Sequence, residues 1–145
     1  FYNCSGLTGS LTIPEGVTTI GSSTFCRCCG FNGTLTLPST LNTIESDAFI
    51  SCSGISKALF LGNAPEYMGE RVFEGTADGF KIFYRAGSTG FDTPTWMTYP
   101  CYPKTPPRLI LIGNKTIKAG QPITFTIEAE DDDGESLTYS ASGAI

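Results

Sequence analysis

Leu11-Thr12-Ile13-Pro14-Glu15-Gly16-Val17-Thr18-Thr19-Ile20-Gly21-Ser22-Ser23-Thr24-Phe25-Cys26-Arg27-Cys28-Cys29-Gly30-Phe31 returns in outline 24 residues later. Leu11 is answered by Leu35, Pro14 by Pro38, Ile20 by Ile44 and Phe25 by Phe49. The same step joins Phe1, Phe25, Phe49 and Phe73, then Cys4, Cys28 and Cys52, then Leu11, Leu35 and Leu59. Leu7-Phe31-Ile55, Ile13-Leu37-Leu61 and Ile20-Ile44-Met68 keep it too. Independent columns at one fixed period mark a stack of similar coils, each burying a face that one coil alone could not bury.

Within a coil the pattern changes along the chain. Leu11-Thr12-Ile13 and Leu35-Thr36-Leu37 alternate apolar and polar, which predicts short half-buried strands. Pro14 and Pro38 end them, because proline has no N–H for a ladder. Val17 to Ile20 and Leu41 to Ile44 read as a second short strand or turn. Ser22 to Phe25 and Ser46 to Phe49 read as one helical or 3₁₀ turn with Ser or Asp as a cap. Thr12, Thr34 and Thr36 are expected to face outward, with Phe60 at the matching place in the third coil.

The composition narrows the function. The chain has 145 residues, 9 basic and 14 acidic, for a net charge of −5. Nucleic-acid binding needs a basic surplus, so nucleic acid is not an expected partner. Charged residues make up 16%, while Ser and Thr occupy 32 positions, so the surface is solvated by hydroxyls more than by ions. Histidine is absent, which removes Ser-His-Asp and Cys-His catalysis and the His-containing zinc sites. The longest aliphatic run is Leu109-Ile110-Leu111-Ile112, far short of the roughly 20 residues that span a bilayer. Phe1 opens neither with Met nor with a signal peptide, so the chain is expected to be a piece of a longer polypeptide. Sequons at Asn3, Asn32 and Asn114 are candidate N-glycosylation sites and fit an exported chain.

The unit Leu-x-Ile-Pro-x-x-Val-x-x-Ile-x-x-x-x-Phe-x-x-Cys resembles the repeat of the bacterial-surface-antigen type, or BspA-like, leucine-rich repeats. The resemblance covers about residues 1–75 and departs at Gly62-Asn63-Ala64-Pro65. Gly79 to Tyr84, Gly90-Phe91 and Trp96 look like the strand and cap that close such arrays. The resemblance implies a secreted or surface-attached protein, used in adhesion, surface layers or host-protein binding and not in catalysis. It also implies that Cys4, Cys28 and Cys52 fill the buried Asn/Cys column of leucine-rich repeats.

Lys104-Thr105-Pro106-Pro107 reads as a linker. Beyond it, Arg108 to Ile112, Pro122 to Ala129 and Leu137 to Tyr139 read as strands around the turn Asp131-Asp132-Asp133-Gly134. Pro107, Gly120-Gln121, Ile123 to Ile127 and the Asp131 to Tyr139 run resemble the first strands of an immunoglobulin-like or cadherin-like bacterial module. The expected fold is therefore mainly β: a solenoid of 24-residue coils with a β-rich C-terminal cap over 1–103, then an incomplete Ig-like sandwich segment over 104–145. An incomplete sandwich has an open edge, which another copy could fill by strand addition.

Several groups are candidates for chemistry. Asp131, Asp133 and Glu135 alternate beside Glu130 as Ca²⁺ ligands would, or form a solvated acidic turn. Cys4, Cys28 and Cys52 are buried reduced thiols or bridges between coils. Cys26-x-Cys28-Cys29 has the wrong spacing for a zinc knuckle. Cys29 sits on the loop side and is a candidate disulfide partner for Cys101 or for another subunit. Phe60, Phe83, Tyr84, Trp96, Tyr99 and Tyr102 either close the solenoid end or stack on a sugar or protein partner. Glu66, Glu70, Glu74 and Asp78 recur every four residues as a solvated face. Three functions compete: a surface protein that binds protein or glycan, a self-assembling subunit of a filament, sheath or layer, and an accessory region of a secreted enzyme.

Overall fold

The computed structural model describes residues 1–105, 108–109 and 129–130. The chain divides into two compact units, Phe1–Lys104 and Thr105–Ile145. The first contains β1 (Gly9–Thr12), β2 (Thr19–Ile20), β3 (Phe31–Leu37), β4 (Thr43–Ile44), β5 (Ile55–Phe60), β6 (Tyr67–Met68), β7 (Lys81–Arg85), β8 (Thr95–Trp96) and β9 (Tyr99–Lys104). In the second, β10 (Arg108–Leu109) pairs antiparallel with β11 (Ala129–Glu130). The other strands expected there, the open edge, the Asp131/Asp133/Glu135 group and Asn114 lie outside the described residues.

The first unit is a mainly β solenoid. Its large sheet runs β1-β3-β5-β7-β9-β8, parallel except for the last pair. A second parallel sheet runs β2-β4-β6, with Ile20 beside Ile44 and Ile44 beside Met68. Between the sheets lie aliphatic and aromatic columns. Leu35, Leu37, Ile44, Phe49, Ile55, Phe60 and Ile82 are all fully buried. Phe1, Phe25, Phe49 and Phe73 form one row, with successive centroids 5.3, 5.2 and 5.7 Å apart and near-parallel rings. Each such pair adds about 0.5–1.5 kcal/mol beyond the area it buries.

The segment through Ser22 to Phe25 is not a helical turn. It is a chain of tight turns whose N–H groups point alternately along the coil and across to the next. Thr24, Cys26 and Cys28 donate to the oxygens of Gly21, Ser23 and Phe25 in their own coil. Ser23, Phe25 and Arg27 donate to Ser46, Ala48 and Ile50 of the next. Left-handed residues make the alternation: Ser23, Asp47 and Arg71 form one such column, and Asn3, Arg27, Ser51 and Gly75 another. A helix would send every donor along its own axis, leaving none to bind the neighbouring coil.

Four expected core positions need correction. Phe1 stacks on Phe25 yet is 68% exposed, because no described coil covers its outer face. Cys4 and Leu11, at the same end, are half-buried. Leu59 does not continue the Leu11-Leu35 row. Leu35 pairs with Ala58, and Leu37 with Phe60, so Ala58 and Phe60 turn inward while Leu59 stands beside Thr36. The slip lies in β5: Gly33 pairs with Ile55 and Thr34 with Lys57, so Ser56 is the extra residue of a bulge. A slip of one residue exchanges the two faces of a strand.

Candidate binding surface

Side chains alternate across the large sheet, so its outward face can be read from the register. One outward row runs Thr12, Thr36, Leu59, Phe83, Tyr102. Another runs Thr34, Lys57, Lys81, and a third pairs Arg85 with Lys104. The first row turns from hydroxyl to apolar along the stack. Phe83 is buried, with its ring centroid 6.2 Å from that of Tyr102, which is 39% exposed. Phe60, Tyr84, Trp96 and Tyr99 lie on the inner side and close the end of the core. Phe91 lies flat on Tyr84 at 4.5 Å and meets Phe60 and Trp96 edge-on.

Charge is segregated on this solenoid. Residues 1–104 carry six Lys/Arg and eight Asp/Glu. Lys57, Lys81, Arg85 and Lys104 stand on the long strands, and none of those strands contains a carboxylate. Every acidic residue of the unit lies outside β1, β3, β5, β7 and β9. Some carboxylates serve the stacking itself. Glu15 accepts bonds from the N–H (2.9 Å) and hydroxyl (3.0 Å) of Ser39, and the Ser39 N–H holds its carboxyl below the ordinary range. Asp47 accepts from Arg71 at 2.9 Å.

Glu66, Glu70, Glu74 and Asp78 lie around β6 and the turns after it, not on a helix. Glu70 and Glu74 border a groove of about 400 Å³, lined also by Met68, Arg71, Val72, Met97 and Tyr99. Burial pushes the Tyr99 phenol up, and the Glu74 carboxylate adds to it, so the ring carries no charge into the groove.

Cys26, Cys28, Cys52 and Cys101 are buried, Cys4 is half-buried and Cys29 is exposed. Cys28 donates to the oxygen of Phe1 at 2.8 Å, and Cys52 to that of Phe25 at 2.9 Å. Burial pushes Cys52 and Cys101 up to about 11, which opposes thiolate chemistry. All six thiols are free. Cys29 and Cys101, candidates for a bridge with each other or for one from Cys29 to another subunit, are not bonded to each other. Cys29 sits just before β3 and donates to the oxygen of Ser51, while Cys101 is buried in β9, three strands further along. Three strand spacings amount to about 14 Å, about twice the Cα separation a disulfide tolerates. Asn3 and Asn32 are exposed. Among the described residues no three of His, Cys, Asp and Glu are grouped as metal ligands, and no helix is long and apolar enough to cross a membrane.

A family profile described as "BspA type Leucine rich repeat region (6 copies)" matches residues 1–89. The chain belongs to the BspA-type leucine-rich repeats. The curated proteins and the solved structures returned no match. In this BspA-type array two features escape a search for apolar columns. One is the glycine column Gly6-Gly30-Gly54, visible at the same 24-residue step. A Cβ on Gly30 would meet the oxygens of Ser5 and Leu7, and one on Gly54 that of Phe31. The other is the cationic strand face, which becomes legible only once the BspA-type register assigns Lys57, Lys81, Arg85 and Lys104 to one side.

Proposed function

We propose that this chain is a non-catalytic extracellular surface protein of the adhesion kind, and that its solenoid grips an acidic protein segment on the outward face of the large sheet. The single observation that carries the reading is the segregation of charge. Four of the six cations of residues 1–104 stand on the outward side of the long strands, flanking the Leu59-Phe83-Tyr102 row, and no carboxylate belongs to those strands. In a protein of net charge −5 this is the face that attracts an anionic partner. Tyr102 offers an amphipathic ring at its margin, a residue type favoured in protein contacts. The family supports the scaffold role, since repeat solenoids present extended surfaces.

The test is binding of the full chain to a ten-residue glutamate peptide at low and physiological salt. Lys81→Glu with Arg85→Glu should weaken binding at least about tenfold, and salt should weaken it further. Arg27→Glu, outside the sheet, should leave it unchanged. Equal losses from both variants, or no binding, would refute the assignment of this face. Antibody labelling of intact producing cells checks the location, and label appearing only after lysis would count against a surface role.

A further inference from the structure

The groove beside β6 is separate from the outward sheet face and has the opposite charge. Its apolar surface comes from Met68, Val72, Met97 and Tyr99, and its acidic border from Glu70 and Glu74. Arg71, the one cation among the described residues of the lining, pairs its guanidinium with Asp47 at 2.9 Å, which leaves Glu70 and Glu74 without an ion pair to it. Met97 is 51% exposed. It and Thr98 are successive non-glycine residues in the left-handed region, with φ of 50° and 72°. Such backbone is disfavoured for residues with a Cβ, and here it holds an apolar thioether at the surface.

We infer that this groove seats a lysine or arginine side chain from a basic segment of a partner protein. A long cationic side chain has two parts, an aliphatic stem and a charged head. Methionines adapt their shape to a stem, and the Tyr99 ring offers it a flat face. Two carboxylates at the border receive the head in charge-assisted hydrogen bonds. A neutral apolar guest would leave the carboxylates unused, and an acidic guest would be repelled by them. The inference does not depend on the sheet-face assignment, since the two sites share no residue.

The experiment uses the full chain and two probes, pentalysine amide and the same peptide built from 2,4-diaminobutyrate, whose stems are two methylenes shorter. Pentalysine should bind, and Glu70→Gln with Glu74→Gln should weaken it about tenfold or more. Met97→Ser should weaken it severalfold while leaving the charge unchanged. The short-stem peptide should bind the unaltered chain more weakly than pentalysine. Asp78→Asn with Asp92→Asn, outside the groove, should bind pentalysine as the unaltered chain does. Each of three results would overturn the proposal: equal affinity for the two peptides, equal losses in the two double variants, or no binding. Concentration-dependent dimerisation that vanishes in the Glu70/Glu74 variant would overturn it in favour of a second copy as the occupant.

Discussion

The thiol of Cys52 donates its proton to the main-chain oxygen of Phe25, 27 residues earlier, across a distance of 2.9 Å. Cys28 does the same to Phe1 at 2.8 Å. The two columns that mark the repeat most plainly in the sequence are thus bonded to each other between coils. A cysteine suits the site because it is small, apolar and still a donor. Replacing Cys52 with alanine loses buried volume and this bond, at a cost of about 1–3 kcal/mol by urea unfolding.

The same thiol makes stability depend on alkaline pH. Burial raises Cys52 from 9.0 to about 11 in the folded chain, so between those values the unfolded chain has given up its proton while the folded one keeps it. Fewer protons bound to the unfolded state means that stability falls as pH rises. The thiol's contribution is fully present below about pH 9 and is lost towards pH 11. Cys101 acts in the same direction. The melting temperature should drop over this interval, and by less in the Cys52→Ala variant. An identical drop in that variant would exclude the thiol as a source.

The phenylalanine row should be strong in its middle and weak at its first member. Phe49 is fully buried between Phe25 and Phe73, and Phe49→Ala should cost about 3–5 kcal/mol. Phe1→Ala should cost about 1 kcal/mol or less, since most of that ring is already in water. Denaturant midpoints of the two variants decide it.

Glycines of one column should differ in the same way. Gly54→Ala drives a Cβ into the oxygen of Phe31 and should cost more than about 2 kcal/mol. Gly6→Ala meets nothing within 4 Å and should shift stability by no more than about 0.5 kcal/mol.

The register of the third coil is tested by two neighbouring residues. Ala58→Lys places a charge in the core and should abolish cooperative folding, measured by circular dichroism on heating. Leu59→Lys, on the outward side, should fold normally. The reverse pattern would restore Leu59 to the Leu11-Leu35 row.

The 24-residue period determined the fold class, the stacked Phe25, Phe49 and Phe73, the buried Cys28 and Cys52, and the two strands in each full coil. These follow from sequence because a stacked coil meets its own copy, so any residue that must fit there recurs at the same step. The tertiary structure decided the rest. It turned Leu59 outward, exposed Phe1, kept Cys29 and Cys101 apart, and gathered Lys57, Lys81, Arg85 and Lys104 on one face. The reason is geometric: strand faces exchange with every single-residue slip, and the bulge at Ser56, opposite Gly33, is a backbone event that apolar periodicity does not record. The groove under Glu70 and Glu74 combines residues from β6 and its turns with Met97 and Tyr99 from the cap, where the repeat has ended and spacing carries no information.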